Sequence, residues 1–434
     1  YRMKIELRSV RISEEQLKAR ISGSESKDAT SNEIKGKDSA NRNHLTDQAS
    51  DNKIVKEINS IITESIAAGA SDIHLEPSDN NLKVRTRIDG VLFNKAQLDL
   101  NDHPEIVSRI KIMSGLDIAE KRRPQDGRIR YSQNSRLVDI RVSVIPTDFG
   151  EKAVLRILDK DQLRLNLTSL GFTDEQLELF KANLSNTSGI ILITGPTGSG
   201  KTTTLYAALN LLKSGDVNIS TVEDPIEYSL EGINQTQVKP EINLTFSAML
   251  RALLRQDPNI IMVGEIRDRD TLEIAIRASQ TGHLVLSTVH TNNAVSTITR
   301  LLDLGIEPFL LSSSLKMIVA QRLVRKVCTN CKSDNVSEEY KVAAIQFGES
   351  GFSSLTEGQG CNQCNNSGYR GRTAIYEVLH LNDEMREIIH RRGSERELLN
   401  CAKLNSFMTM KENSVELINQ GLTTPSEVIR ELGV

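Results

Sequence analysis

Tryptophan is missing from the 434 residues, and aromatic side chains make up only 4%. Any core must then be aliphatic, and the aromatic platforms on which nucleic-acid bases stack are not on offer. A basic excess is lacking too: 54 Lys and Arg stand against 57 Asp and Glu, a formal net charge of -3. That leaves no electrostatic case for nucleic acid as a partner. No apolar run approaches the ~18 residues of a membrane span, so the sequence predicts no transmembrane segment. Cysteine is scarce, and four of the five fall in two C-x-x-C pairs rather than in the spread of a disulfide framework. Such pairs favour a metal over disulfides and the cytosol over an oxidising compartment. What is present is 38% apolar residues in a chain long enough for two or three domains. Because the chain opens on Tyr1, it reads as a fragment from which a signal peptide or an N-terminal docking domain could be missing without trace.

Residues 1–22 have room for a short strand and helix, read as the remnant of an N-terminal region. Residues 23–50 turn to Ser, Asp, Asn, Lys and Gly, a composition too polar to bury a core, and are expected to be a flexible linker or loop. From Lys53 the spacing of Ile54, Ile58, Ile61, Ile62 and Ile66 predicts an amphipathic helix. "SDIHLEP" alternates, and "LKVRTRIDGVLFNKAQL" predicts two strands joined by a two-residue turn at Asp89-Gly90. A second helix is expected over about His103 to Glu120, then three strands from "GRIRYSQNSRLVDIRVSVIPTDFGEKAVLRIL". Residues 51–158 are thus expected to form an α+β domain, an antiparallel sheet covered by helices on one side. A polar linker over 159–170 follows. From 171 to 434 the texture is that of an α/β domain. Near-continuous apolar strands ("GIILIT", "VNISTV", "NIIMV", "HLVLST") between helices imply a buried, mostly parallel sheet.

The stretch Gly195, Pro196, Thr197, Gly198, Ser199, Gly200, Lys201 and Thr202 follows the first of those strands and matches G-x-x-x-x-G-K-[ST], and Thr203 after it is expected to join the nucleotide site. Glycines let the backbone N–H groups turn onto phosphates, and the helix that starts there adds its positive end. Lys201 would reach the β and γ phosphates and the Thr202 hydroxyl would hold Mg²⁺, so ATP with Mg²⁺ is the expected ligand. A second strand in "DPNIIMVGEIRD" ends in Gly264 where an Asp is usual. That leaves Glu265 as the carboxylate to polarise the attacking water; a surface Glu paired with Arg267 is the plainer alternative. The cluster Glu223, Asp224 and Glu227 could hold Mg²⁺ through water or could simply be solvated. His283 and His290 bracket the strand in "HLVLSTV", and His290, at its far end, is better placed to sense the γ-phosphate.

Cys328 and Cys331 form one knuckle and Cys361 and Cys364 another, separated by 29 residues. Four thiolates suit a structural tetrahedral Zn²⁺, in a small subdomain over 327–372 followed by a helical part over 379–434. Cys401 is expected as a buried apolar side chain.

"GPTGSGKTTTLY", "VEDPIEY", "LRQDPNIIMVGEIRD" and "TGHLVLSTVHTNNA" occur in an order and at spacings that resemble the four boxes of the secretion ATPase superfamily. "SDIHLEP", "RIDGVL", "RIKIMSGLDIAEKRRPQDGRI" and "DIRVSVIPT" narrow the resemblance to the general secretory pathway protein E and pilus-assembly branch, over residues 51–430. It implies a RecA-like P-loop ATPase fold with catalytic roles for Lys201, Glu223, Glu265 and His290. It also implies a homo-hexamer in which Arg141 and Arg156 of the upstream domain contact the phosphates, helped by Arg85 or Arg87. The implied function is the motor of type II secretion, on the cytoplasmic face of the bacterial inner membrane and docked to inner-membrane secretion proteins through the N-terminal part. A type IV pilus assembly ATPase is the near alternative, and a nucleic-acid translocase on the same core the alternative from another class.

Overall fold

The computed structural model describes residues 53–133, 136–159, 166–347, 352 and 354–433. The expected N-terminal remnant and linker, 1–22 and 23–50, lie outside these residues, as does the middle of the expected 159–170 link.

The first part of the described chain, residues 53–158, is built on an antiparallel sheet. Its elements are α1 (Lys53–Ala67), β1 (Ala70–Pro77), β2 (Leu82–Ile88), β3 (Val91–Leu98), α2 (His103–Ser114), β4 (Gln125–Gln133), β5 (Arg136–Thr147) and β6 (Gly150–Leu158). The strand order is β3-β2-β1-β6-β5-β4. One face is apolar because alternate residues point to opposite sides of a strand. Ile73, Leu75, Val84, Ile140, Val142 and Leu155 are buried there beneath the isoleucine stripe of α1 and Ile106 and Ile110 of α2. Asp89 and Gly90 join β2 to β3 with φ of 49° and 86°, the left-handed pair that a tight hairpin demands. The second helix is shorter than its expected span to Glu120. Gly115 takes φ 71°, and its N–H and that of Leu116 close the last turn, so α2 stops at Ser114.

The second sheet follows through α3 (Asp174–Leu184), β7 (Gly189–Thr194), α4 (Lys201–Leu212), β8 (Ile219–Glu223), β9 (Asn234–Gln237), α5 (Phe246–Leu253), β10 (Ile260–Val263), α6 (Arg269–Gln280), β11 (Leu284–Val289), α7 (Ala294–Asp303), α8 (Pro308–Ser314) and β12 (Leu315–Val327). The chain continues through β13 (Lys332–Ser333), α9 (Glu338–Gln346), β14 (Glu357–Gly358) and β15 (Tyr369–His380). It closes with α10 (Asp383–His390), α11 (Glu395–Leu404), α12 (Met410–Asn419) and α13 (Pro425–Leu432). The order is β15-β12-β7-β11-β10-β8-β9, with β15 alone antiparallel to its neighbour. Every strand expected within the described residues is present; β9, β12, β13, β14 and β15 were not foreseen. The strands read as continuous apolar runs because both faces are covered. Ile190, Leu192, Ile261 and Val285 enter one core, and Ile191, Ile193, Met262 and Leu286 the other.

Candidate functional site

In a parallel sheet, ligands gather beyond the C-terminal ends of the strands. The phosphate loop leaves the end of β7 there. Gly195, Gly198 and Gly200 take φ of 150°, 82° and 88°, and α4 begins at Lys201. Pro196, Thr197, Gly198 and Thr202 are exposed, so the loop crest and the start of the helix are open to solvent. Lys201 is folded back and buried, donating to the carbonyls of Gly195 at 2.8 Å and Pro196 at 3.0 Å. Lost hydration pulls its pKa down to about 8; nearby Glu265 favours the charge and Arg322 opposes it. The Ser199 hydroxyl is buried without a hydrogen-bond partner, a polar atom left for a ligand.

Glu265 stands just beyond β10, with Arg267 at 2.5 Å and His290 Nε2 at 3.5 Å. The pairing with Arg267 of the plainer reading is present, although the Glu265 side chain is largely buried rather than on the surface, and it lies near enough to Lys201 to favour that residue's charge. Hydroxyls brace this edge. Thr288 donates to the Gly264 carbonyl at 2.7 Å, and Thr194 accepts the Thr291 N–H at 2.9 Å. Gly264 follows from packing: a Cβ there would lie 3.2 Å from the Val222 carbonyl and 3.3 Å from Glu223 Cα. A side chain at that position would force the Val222–Glu223 backbone to give way by a few tenths of an ångström.

Glu223, at the end of β8, is nearly inaccessible and already satisfied. Tyr206 donates to Oε2, and Thr221 and Gln235 donate to Oε1 at 2.6 and 2.9 Å. Burial and the Glu223 carboxylate together push the Tyr206 hydroxyl far above its ordinary pKa. Glu223 is therefore presented as the anchor of this strand end rather than as an open ligand. His283 is not brought to the site. It lies before β11, at the opposite end from His290, and its Nδ1 is 2.9 Å from the Ala278 carbonyl at the end of α6.

The charged face of the first sheet carries the arginines. Register sets Arg141 opposite Arg156. Arg141 reaches the loop after β8, donating to the Ile226 carbonyl at 2.9 Å and pairing with Glu227 at 3.0 Å. These two residues line a cavity of about 440 Å³ with Arg128, Asp139 and Tyr228. Arg156 instead pairs with Asp72 at 3.1 Å, and Arg85 with Glu76 at 2.6 Å, both within the sheet.

The four cysteines converge. Every sulfur lies within 4.8 Å of the others, with Cys328–Cys361 and Cys331–Cys364 at 3.9 Å and Cys361–Cys364 at 3.7 Å. A tetrahedron of thiolates about 2.3 Å from a metal has edges of about 3.8 Å, so the cluster fits such an ion. The knuckles are pulled together where β14 crosses the turn before β15: a Cβ on Gly358 would sit 1.9 Å from the Gly368 carbonyl. Cys401 is buried among the C-terminal helices, as expected.

Reasoning from sequence missed Gln321 and Arg322 of β12, Tyr206 and Gln235. The first two carried a legible signal, a polar pair interrupting the apolar run "LKMIVAQRLV".

The family described as Type II/IV secretion system protein matches residues 47–430. The chain belongs to that family. Among its relatives, Type II secretion system protein E of Pseudomonas aeruginosa is 50% identical over 386 residues, 89% of this chain and 77% of that one. Type II secretion system ATPase E of Vibrio cholerae is 47% identical over the same shares to within a point, 89% and 76%. Type IV pilus assembly ATPase PilB of Myxococcus xanthus is 46% identical over 92% of this chain and 71% of that one. Among solved structures, the pilus retraction motor PilT with bound ADP covers 86% of the chain and 95% of its own, with a TM-score of 0.57 at 29% identity. The Legionella pneumophila ATPase DotB shares the fold, with a TM-score of 0.62 at 20% identity over 86% of this chain and 94% of that one. Members of the type II/IV secretion family are thus the frame for this P-loop site. No helix among the described residues is long and apolar enough to cross a membrane.

Proposed function

We propose that this ATPase is the motor of a type II secretion system, turning ATP hydrolysis into movement that assembles a pseudopilus and exports proteins across the outer membrane. The observation that carries the reading is the convergence of the phosphate loop, Glu265 and His290 beyond the C-terminal ends of the central strands β7, β10 and β11, in a chain about half identical to secretion proteins of that name. Lys201 leaves the Gly195 and Pro196 carbonyls for the β and γ phosphates, and the Thr202 hydroxyl would hold Mg²⁺, which when bound would neutralise phosphate charge. Glu265 orients and polarises the attacking water, and His290 responds to the γ-phosphate. Arg141 and Arg156 stabilise charge on the phosphoryl oxygens. Arg141 already touches the loop after β8, so hinge motion of the 51–158 domain against the 171–434 domain would move that loop with each turnover. The motor works as a homo-hexamer on the cytoplasmic face of the inner membrane, docked to membrane secretion proteins by chain N-terminal to the described residues. Cys328, Cys331, Cys361 and Cys364 would hold a structural Zn²⁺.

ATP turnover measured across protein concentration, for this chain and Glu265→Gln, tests the motor. Turnover per chain that rises with concentration and is lost in the variant supports it; negligible turnover of the unaltered chain at every concentration overturns it. Arg141→Ala with an unchanged rate would remove the arginines from the mechanism. The likeness to the Myxococcus pilus ATPase keeps pilus assembly as the second reading, decided by whether the chain restores secretion or piliation to a strain lacking its motor.

A further inference from the structure

We infer that the dipeptide Gln321-Arg322 in β12 is a positioning element of the nucleotide site, with Gln321 holding the phosphate loop in shape and Arg322 holding the loop that carries His290. The inference rests on the ATPase reading. Register places it: Ala320 pairs with Thr194, the last residue of β7, so Gln321 lies one step on, beside the loop as it leaves the sheet. The Gln321 amide donates to the Ser199 carbonyl at 2.6 Å, and its oxygen accepts from the Thr204 hydroxyl at 2.8 Å. One side chain thus ties the loop's end to the first turn of α4.

Contact with the loop is close. A Cβ on Gly195 would lie 2.5 Å from the Gln321 carbonyl, and one on Gly200 2.7 Å from its amide nitrogen. Gln321 is nearly inaccessible, and burying an amide costs free energy unless its bonds are made. An aliphatic side chain would serve the strand as well; only the loop requires the amide.

Arg322, also buried, donates to the Asn292 carbonyl at 3.0 Å, two residues beyond His290, and to the Gln321 carbonyl at 3.2 Å. Its charge is offset by Glu377 on β15, which accepts the N–H groups opening α7 and α12, at Ala294 (2.8 Å) and Met410 (3.0 Å). The loop between His290 and α7 is therefore gripped from both ends. Consecutive residues of one rigid strand serve the two loops that must respond to the same phosphate.

The test measures Mg-ATP affinity with a fluorescent ATP analogue, KM, kcat and thermal midpoint for the full chain, Gln321→Leu, Arg322→Gln and Thr204→Val. Losing a buried partner weakens binding by about tenfold, so Gln321→Leu raises Kd and KM by about that factor and more than it lowers kcat. Arg322→Gln lowers kcat by about tenfold or more and shifts Kd less. Thr204→Val weakens ATP by about threefold alone and adds nothing in the Gln321→Leu background, as for two groups sharing one bond. If Gln321→Leu does not fold, Thr204→Val carries the test. Variants that lose thermal stability but keep Kd and the KM-to-kcat balance, or that shift the same constant alike, overturn the inference. Failure of the unaltered chain to bind ATP would instead defeat the ATPase reading.

Discussion

Lys201 makes nucleotide binding depend on pH in a way the structure specifies. In the nucleotide-free protein, burial pulls its pKa from 10.5 to about 8, Arg322 adds to that pull and Glu265 resists it. Phosphate oxygens arriving at Nζ favour the ammonium, so binding takes up a proton wherever the free lysine is neutral. At about pH 9 roughly nine in ten free sites are neutral, so ATP should bind with uptake of about 0.9 proton and about tenfold more weakly than at about pH 7. A lysine at 10.5 would give a flat profile over that window. Calorimetric titration in buffers of different ionisation heat reads both quantities, and Lys201→Met should abolish the uptake. An affinity that stays level from about pH 7 to about pH 9, with no buffer dependence of the heat, would refute the reasoning. The sign for folding is opposite to that of a paired lysine. Between about pH 8 and 10.5 the folded chain binds fewer protons than the unfolded one, so this group's contribution to stability rises with pH.

Gly264→Asp, which restores the usual strand-end carboxylate, should impair rather than improve the protein. The new Cβ presses on the Val222 carbonyl and Glu223, costing about 1–3 kcal/mol in a denaturant titration, and turnover should fall with it. Cys331→Ser should lower bound metal, read by atomic absorption, from one ion per chain toward none, and expose 328–372 to proteolysis. Glu427→Ala strands Arg325, whose guanidinium Glu427 holds at 2.7 Å, and should cost about 3–5 kcal/mol. Burial raises the Glu427 pKa, but Arg430 and Arg325 outweigh it and hold the value below 4.5. Its stabilisation is therefore complete above that pH and lost as pH falls through the folded value, so acid unfolding of the variant should begin from a lower plateau and show a shallower slope.

Local periodicity and turn chemistry were legible without any structure. The isoleucine stripe of α1, the Asp89-Gly90 hairpin, the buried strands β7, β8, β10 and β11 and the P-loop are each set by neighbours in the chain. Chain-local signals also placed His290 and Glu265 at strand ends, and the paired knuckles pointed to a single four-sulfur cluster. Boundaries were less secure: helical pattern continues past Ser114, yet left-handed Gly115 ends α2.

What sequence could not settle depends on which strand lies beside which. Glu223 reads as a free carboxylate until α4 and β9 bring Tyr206 and Gln235 against it. Arg141 and Arg156 read alike, but only Arg141 faces the loop after β8, while Asp72, directly opposite on the neighbouring strand β1, claims Arg156. His283 and His290 read as a pair, although one strand's length separates them and parallel pairing sends only one end to the phosphate loop. Gln321 lies 122 positions from the Ser199 carbonyl it holds. Periodicity is a property of the nearest few residues, whereas such contacts arise from the register of β12 on β7, which is set by the whole core on both faces of the sheet.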